Sequence, residues 1–242
     1  MPVFRLRADD VRFPPPELAE DRFGGTLAIG GDVSPERLLE AYTHGIFPWP
    51  VEGCELRWVS CDPRFVLHPE DFHVPKSLRR TLKKHPFDIT VDRAFEEVIR
   101  GCSEAYRPGQ DGTWITPRIV KGYIAFHKAG YAHSVEAWQD GQLVGGFYGV
   151  AVGRVFCGES MFCRVSDASK CAFATMAPAL FAQGVRVIDC QDYTDNLARY
   201  GAAYIPRNQY LRELREALSD GVASCVDWTS LSGEVGPLPV LR

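Results

Sequence analysis

Residues 133–162 read HSVEAWQDGQLVGGFYGVAVGRVFCGESMF, and this stretch decides the fold. Its hydrophobic residues recur with a period of two, which is typical of β-strands. The pairs Asp140–Gly141 and Gly153–Arg154 interrupt the pattern, and Asp-Gly between alternating segments is a strong hairpin signal. The stretch therefore predicts three consecutive antiparallel strands.

Helical patterns lie on both sides of these strands. Ser34 and Thr116 fit the N-cap position of two helices, whose apolar stripes include Tyr42 and Tyr123. Between the first helix and the strands, the prolines of IFPWP (46–50) predict irregular backbone. The other predicted elements are helices over 92–102, 167–183 and 208–219, and an apolar strand, VRVIDCQ, over 185–191.

The predicted elements follow an order typical of the α+β class. A helix pair comes first, then a meander of antiparallel strands, and then a helix, a strand and a helix. By analogy this order suggests an N-acetyltransferase-like (GNAT-like) fold with a mainly antiparallel central sheet. A boundary is expected near CDPRFVLHPEDFHVP (61–75). We therefore expect a small N-terminal domain over residues 1–66 and a GNAT-like domain over 67–242.

Composition and termini narrow the class of protein. Lysine and arginine number 27 against 31 acidic residues, a formal net charge of −4, so RNA contact requires a local basic patch. MPVFRLRADD carries charges where a signal peptide has an apolar core, and no apolar run approaches the ~20 residues of a membrane span. The eight cysteines include no C-x-x-C pair and no zinc spacing. We expect a cytoplasmic protein with reduced thiols, no bound metal and no membrane contact.

A basic segment, KSLRRTLKKHP, follows the expected boundary. Its cations recur at i, i+3, i+4, i+7 and i+8, which places them on one helical face. They are Lys76, Arg79, Arg80, Lys83 and Lys84. Two interpretations remain open: a solvated surface, or contact with a phosphate backbone.

Polar residues at strand ends are the candidates for chemistry. Asp189 and Gln191 are two residues apart, so a regular strand turns both to one face, and Glu159 lies near the end of an earlier strand. Asp189 either caps the following turn or borders a functional cleft, because an unpaired buried carboxylate is costly. The motifs G-x-S-x-G, G-x-G-x-x-G and the P-loop are absent, and CRVSDASK (163–170) lacks the glycines of an acetyl-CoA loop.

Longer motifs resemble the leucyl/phenylalanyl-tRNA–protein transferase family in order over nearly 200 residues. They are FGGTLAIGGDVSPERLLEAYTHGIFPW (23–49), TWIT (113–116), AHSVEAW (132–138), LVGGFYGVAVGRVFCGESMF (143–162), ASKCAF (168–173), IDCQ (188–191) and YGAAYIPR (200–207). The sequence departs from the family pattern at Val59, Cys61, Cys163, Asn196 and Arg199.

The resemblance implies an aminoacyltransferase that needs no cofactor. Such enzymes transfer leucine, phenylalanine or methionine from aminoacyl-tRNA to the α-amine of proteins beginning with arginine or lysine, which creates a degradation signal. We expect a monomer whose partners are aminoacyl-tRNA and these proteins.

The resemblance also implies roles for individual residues. Asp189 and Gln191 match the reacting centre, and Glu159 matches an acidic residue suited to a cationic acceptor. Trp49 and Trp114 match tryptophans near the adenosine, and the basic face meets tRNA phosphates. The implied pocket for the donor side chain consists of Phe147, Phe156, Met161, Phe173, Met176 and Ile188.

Three other functions remain as alternatives. A small-molecule N-acyltransferase of the same fold class requires acyl-CoA, which the missing glycine loop disfavours. A peptidoglycan-type aminoacyl-tRNA ligase differs in its acceptor, a cell-wall precursor. A non-catalytic tRNA-binding protein leaves Asp189 and Gln191 unexplained.

Overall fold

The computed structural model describes residues 3–20, 24–50, 53–105 and 113–231. The strands in these ranges are β1 (Phe4–Leu6), β2 (Thr26–Gly30), β3 (Phe47–Pro48), β4 (Arg57–Val59), β5 (Arg64–Leu67), β6 (Asp88–Val91), β7 (Ala132–Gln139), β8 (Gln142–Val152), β9 (Val155–Cys163), β10 (Val187–Gln191) and β11 (Ala203–Ile205). The helices are α1 (Pro35–Thr43), α2 (Lys76–Leu82), α3 (Phe95–Glu104), α4 (Pro117–Lys128), α5 (Ala168–Ala182), α6 (Asp195–Ala198), α7 (Arg207–Ala217) and α8 (Trp228–Leu231). Within the same ranges, every helix is too short or too polar to cross a membrane.

The first sheet has the strand order β1-β2-β4-β3 and contacts α1. As the sequence predicts, the side chain of Ser34 caps α1 and Pro35 occupies its first turn. The prediction of irregular backbone over 46–50 is wrong for Phe47–Pro48, which pairs with Trp58–Val59. Because β3 lies at the edge of the sheet, the missing N–H of its proline removes no ladder hydrogen bond.

The second sheet has the order β11-β5-β10-β9-β8-β7-β6. Its β9 and β10 run parallel, whereas its other neighbouring strands are antiparallel. The three strands predicted over 133–162 are confirmed, and Asp140 and Gly141 adopt the positive φ values of their tight turn, 52° and 73°. The α+β class with a mainly antiparallel central sheet is therefore confirmed.

The second sheet has an apolar core on each face. Successive side chains of a strand point to opposite faces. Val155 and Cys157 accordingly belong to one core with residues of α1, α3, α4 and α7, whereas Phe156 belongs to a second core with residues of α2, α5 and α8. These two sides are the α4 face and the α5 face below.

The predicted domain boundary at residues 66 and 67 falls inside β5. This strand pairs with β10 and β11 of the second sheet. In addition, Leu27 and Trp58 of the first sheet share one core with the α4 face. The division into 1–66 and 67–242 stays a prediction, and residues 1–2 and 232–242 lie outside the described residues.

An opening in the second sheet determines where the candidate site lies. The ladder between β9 and β10 ends at the pair Cys157 and Asp189. Beyond that pair, β9 continues beside β8, and β10 continues beside β5. The two strands therefore separate where Glu159 and Gln191 lie.

Candidate active site

Asp189 lies in the middle of the second sheet and has no exposed surface. The guanidinium of Arg64 donates to it twice, from Nε to Oδ1 at 2.8 Å and from Nη2 to Oδ2 at 2.6 Å. Arg64 is almost as deeply buried, and the ring centroids of Phe47 and Tyr210 lie 4.7 and 4.6 Å from its guanidinium carbon. Arg64 was not predictable as a site residue, because no local sequence pattern connects residues that are 125 positions apart.

Two further donors complete the surroundings of the Asp189 carboxylate. The hydroxyl of Tyr210 donates to Oδ2 at 2.8 Å, and the backbone N–H of Gln191 donates to Oδ1 at 2.9 Å. Burial raises the pKa of Tyr210 well above its ordinary value and the charge of Asp189 raises it further, so the phenol stays a donor. Each oxygen of Asp189 therefore already accepts two hydrogen bonds within the protein.

Gln191 has a left-handed backbone, with φ of 65°. Residues other than glycine seldom adopt this conformation, and it persists only where the surrounding structure fixes it. The pairing of β10 with β5 shifts register between Asp189 and Gln191, and Asp189 accepts the N–H of Gln191 at this point. The position of the Gln191 side chain thus depends on a bulge and one hydrogen bond as well as on strand alternation.

Glu159 lies opposite Gln191 at the opening between β9 and β10. Nε2 of Gln191 and the hydroxyl of Tyr42 each donate to Oε1 at 2.7 Å, and the hydroxyl of Tyr123 donates to Oε2 at 3.1 Å. Burial raises the pKa of Glu159 to about 7. The hydrogen bonds of the two tyrosines oppose this rise, and the charge of Asp189 adds to it. A carboxyl group that changes charge near neutral pH therefore borders the opening.

Tyr42 and Tyr123 were placed by the sequence in the apolar stripes of α1 and α4. Both are buried as expected, and their hydroxyls are also in contact with each other. Their residue type could have assigned them to the site, because the hydroxyl of a buried tyrosine needs a hydrogen-bond partner. That requirement pairs them with a carboxylate on the facing sheet.

The six residues expected to surround the donor side chain lie together on the α5 face. They are Phe147, Phe156, Met161, Phe173, Met176 and Ile188, and all except the half-buried Met161 are buried in the core of that face. The ring centroid of Phe147 is 6.2 Å from that of Phe156 and 5.8 Å from that of Phe173. The side-chain amide of Asn196 donates to the sulfur of Met161 at 3.1 Å. The apolar group therefore lies on the opposite face of the sheet from Tyr42, Tyr123 and Tyr210, whereas Glu159 and Gln191 lie at the opening between β9 and β10.

Trp49 and Trp114 lie side by side. Their ring centroids are 6.5 Å apart and their planes differ by 10°. Both are half-buried and pack on the core of the α4 face. Trp114 comes just before Thr116, whose hydroxyl caps α4. The structure thus brings together the two tryptophans that the resemblance assigns to adenosine.

The five predicted cations are all exposed. α2 carries the first three, and Lys83 is its C-cap. Leu78 is buried and packs α2 against α5. Among the residues that the structure describes, no carboxylate forms an ion pair with any of the five. The basic surface therefore lies open to solvent on the α5 face.

Metal-binding side chains are scattered over the fold. In the described ranges, no three histidine, cysteine, aspartate or glutamate side chains are arranged to hold a metal ion. The eight cysteines are free. The candidate site thus consists of one carboxylate–amide pair, two tyrosines and a buried ion pair.

Two family models match the chain. The model for leucyl/phenylalanyl-tRNA protein transferase matches residues 66–215, and the model for the N-terminal domain of that protein matches residues 31–62. Together they include Tyr42, Tyr123, Glu159, Asp189 and Gln191, whereas Arg64 lies between the two matched ranges.

Curated relatives named leucyl/phenylalanyl-tRNA–protein transferase are similar over most of their length. The protein from Myxococcus xanthus is 49% identical over 221 residues, which cover 91% of this chain and 94% of that protein. The protein from Anaeromyxobacter sp. strain Fw109-5 is 51% identical over 218 residues, covering 90% and 92%. The protein from Syntrophobacter fumaroxidans is 51% identical over 222 residues, covering 92% and 94%.

Solved structures show much weaker likenesses. A GCN5-related N-acetyltransferase-like protein from Streptococcus suis is 13% identical, with a TM-score of 0.35 over 66% of this chain and 59% of that one. A GCN5-related N-acetyltransferase from Kribbella flavida is 19% identical, with a TM-score of 0.34 over 69% of this chain and 58% of that one. Structural similarities this weak support no inference about the mechanism of this protein.

Proposed function

Because the chain belongs to the leucyl/phenylalanyl-tRNA–protein transferase family, we propose that it transfers leucine, phenylalanine or methionine from aminoacyl-tRNA to proteins that begin with arginine or lysine. Membership makes it an aminoacyltransferase that moves an aminoacyl group from tRNA to a protein. The observation that carries the finer proposal is the hydrogen bond between Gln191 and Glu159 at the opening of the sheet. It joins an amide suited to an incoming amine with a carboxyl group suited to a cationic side chain.

The proposed reaction is aminolysis of the ester that links the amino acid to the tRNA ribose. The acceptor α-amine nitrogen attacks the ester carbonyl carbon, an amide bond forms and the ester C–O bond breaks. One proton leaves the amine, and the ribose oxygen gains one. An α-amine has an ordinary pKa of roughly 8, so part of it is neutral at pH 7 without help from the enzyme. The main contribution required of the protein is therefore orientation of the two reactants.

Gln191 is the proposed catalytic residue. Its Nε2 is engaged by Glu159, which leaves its side-chain oxygen to accept an N–H of the incoming amine. Asp189 is a positioning residue in this proposal, because its oxygens already accept from Arg64, Tyr210 and the backbone of Gln191. It stabilises the left-handed backbone that directs the Gln191 side chain.

Glu159 is the proposed recognition residue for the first side chain of the acceptor. With its pKa raised to about 7 by burial, it is partly neutral in the empty site. A guanidinium or ammonium group bound beside it favours the ionised form and lowers that pKa. Tyr42 and Tyr123 hold the carboxyl group in place from the α4 face.

The donor is proposed to bind on both faces of the opening. Its side chain enters the apolar group on the α5 face, where phenylalanine, methionine and isoleucine side chains leave no polar partner. Its adenine stacks on Trp49 and Trp114, an interaction worth roughly 1–3 kcal/mol per base. The basic surface around α2 contacts acceptor-stem phosphates without reading sequence.

Membership of the family supports the proposed biological setting. The added residue marks the acceptor protein for degradation, and the reaction takes place in the cytoplasm. The monomeric state stays a prediction.

The test is transfer of labelled leucine from Leu-tRNA to synthetic peptides that differ only in their first residue. Label should appear in peptides that begin with arginine or lysine. A peptide that begins with alanine is the matched control and should remain unlabelled. Equal labelling of all three would contradict the proposed acceptor specificity, and absence of label from all three would contradict transfer to peptides.

A further inference from the structure

Two exposed tyrosines lie beside the candidate active site. Tyr193 and Tyr204 are 51% and 46% exposed, and their ring centroids are 6.3 Å apart with planes inclined at 27°. Both rings pack on the buried Phe65, with centroids at 5.3 and 5.0 Å. Paired aromatic rings that are supported from below but open to solvent are typical of an interaction surface.

The register of the second sheet places this pair close to Gln191. Gln191 is the partner of Phe65 between β10 and β5, and Phe65 is the partner of Tyr204 between β5 and β11. Neighbouring strands lie ~4.8 Å apart, so the backbones of Gln191 and Tyr204 are about 10 Å apart. An extended chain advances ~3.3–3.6 Å per residue. A peptide whose α-amine is held at Gln191 therefore reaches the tyrosines with its third or fourth residue.

The charges around the tyrosines favour a peptide over RNA. Asp195 Oδ1 accepts from the hydroxyl of Tyr193 at 2.8 Å, and Asp192 Oδ1 accepts from the hydroxyl of Tyr204 at 2.9 Å. Both aspartates are exposed, and Arg199 at the end of α6 leaves the group with one excess negative charge. A phosphate backbone is repelled by such a surface, whereas a neutral or cationic peptide is not.

We infer that Tyr193, Tyr204, Asp192 and Asp195 form a docking surface for the acceptor protein, just downstream of its first residue. The occupant is an extended acceptor segment whose third or fourth side chain lies on the tyrosine rings. This inference rests on the proposed function, which places the acceptor amine at Gln191. The hydrogen bonds to the aspartates fix the rings before the acceptor arrives, which reduces the entropy cost of binding.

The test compares two acceptors that share an N-terminal arginine, a dipeptide and a peptide that extends past its fourth residue. In the parent protein the longer peptide should have the lower KM. The double substitution Tyr193→Ser and Tyr204→Ser should raise the KM of the longer peptide about tenfold, as expected for the loss of two exposed aromatic contacts. The KM values of the dipeptide and of aminoacyl-tRNA should stay at the parent level.

Two control variants separate the rings from general surface effects. Val222→Ser removes another exposed apolar side chain, 41% exposed, next to the turn between β8 and β9, and should behave like the parent. Tyr193→Phe keeps the ring but removes the hydrogen bond to Asp195. This variant should retain most of the difference in KM between the dipeptide and the longer peptide. With the parent protein, glutamate at the third and fourth positions of the acceptor peptide should raise its KM. Substituting asparagine for Asp192 and Asp195 in the protein should make this increase in KM smaller.

Three results would overturn the docking surface. They are equal KM values for the short and long peptides in the parent, an unchanged KM for the long peptide in the double variant, and an effect confined to aminoacyl-tRNA, which would assign the surface to RNA. Each of these results leaves transfer to the arginine dipeptide intact. Absence of transfer to every arginine-initiated or lysine-initiated peptide would instead refute the proposed function together with the docking surface.

Discussion

Arg64 on β5 and Asp189 on β10 form a buried, bidentate ion pair, with N–O distances of 2.8 and 2.6 Å. The same carboxylate accepts the backbone N–H of Gln191, whose left-handed conformation directs its side chain to Glu159. The charge pair therefore acts on the candidate reacting centre through the backbone. Asp189 has no oxygen left free to take a proton from substrate.

Asparagine in place of Asp189 should strongly destabilise the protein, because it leaves the guanidinium of Arg64 buried without its counter-charge. Breaking a buried pair on one side costs about 3–5 kcal/mol of unfolding free energy. The matched control is Asp220→Asn, which breaks the exposed pair with Arg154 and should cost less than ~1 kcal/mol. Denaturant unfolding of both variants is the measurement. Similar decreases in the free energy of unfolding of the two variants would show that Arg64 and Asp189 do not form this buried ion pair.

Glu159 should make the stability of the empty protein fall as pH rises. Its pKa in the folded state is about 7, above the ordinary value of 4.5, so the folded state binds the extra proton between these limits. The contribution of Glu159 to the free energy of unfolding is thus fully present below pH ~4.5 and is lost as pH rises through 7. Glu159→Gln removes the titration, and the difference in unfolding free energy between variant and parent should grow over this range. A difference that does not vary between pH 4.5 and 8 would contradict the raised pKa.

The apolar pocket proposed for the donor side chain on the α5 face should accept leucine, phenylalanine and methionine and should disfavour isoleucine and valine. A branch at Cβ widens the side chain where the closely packed Phe147, Phe156 and Phe173 leave little room. One misplaced methyl group costs ~1–3 kcal/mol, so Ile-tRNA and Val-tRNA should react about 10–200-fold more slowly. The measurement is the transfer rate to one arginine-initiated peptide from each charged tRNA. Val-tRNA reacting as fast as Leu-tRNA would refute the pocket assignment.

Charge reversal at Arg80 and Lys83 should raise the KM for aminoacyl-tRNA. Each lost phosphate contact should also lower the slope of log affinity against log salt by about one. A minimal aminoacyl-adenosine donor lacks the acceptor stem, so its KM should not change. Arg212→Glu on α7 is a control for an exposed cation on another helix. Unchanged tRNA affinity in the α2 variants would identify this face as ordinary solvated surface.

Local patterns predicted the elements but not the contacts between them. The Asp-Gly turn, the caps Ser34 and Thr116 and the period of two are local signals, and each element they predict is present. The pair of Arg64 and Asp189 has no local signal, because the two residues meet only when β5 and β10 become neighbours.

The bulge before Gln191 was also not predictable from alternation. Strand periodicity assumes a regular ladder, whereas the register of β10 against β5 shifts at this point. Tyr42 and Tyr123 were correctly predicted as buried, but hydrophobic periodicity treats a phenol as apolar and does not reveal its hydroxyl partner.

The most direct test of the reacting centre is the single-turnover rate of leucine transfer from Leu-tRNA to an arginine-initiated peptide by Gln191→Ala, with tRNA affinity measured on the same protein. If Gln191 orients the attacking amine, the rate should fall about 100-fold, while tRNA affinity stays within about twofold of the parent. If the double variant still folds, adding Asp189→Ala to Gln191→Ala should slow transfer little further, because Asp189 acts on the amine only through Gln191. A folded Gln191→Ala protein that transfers leucine at the parent rate would contradict the account.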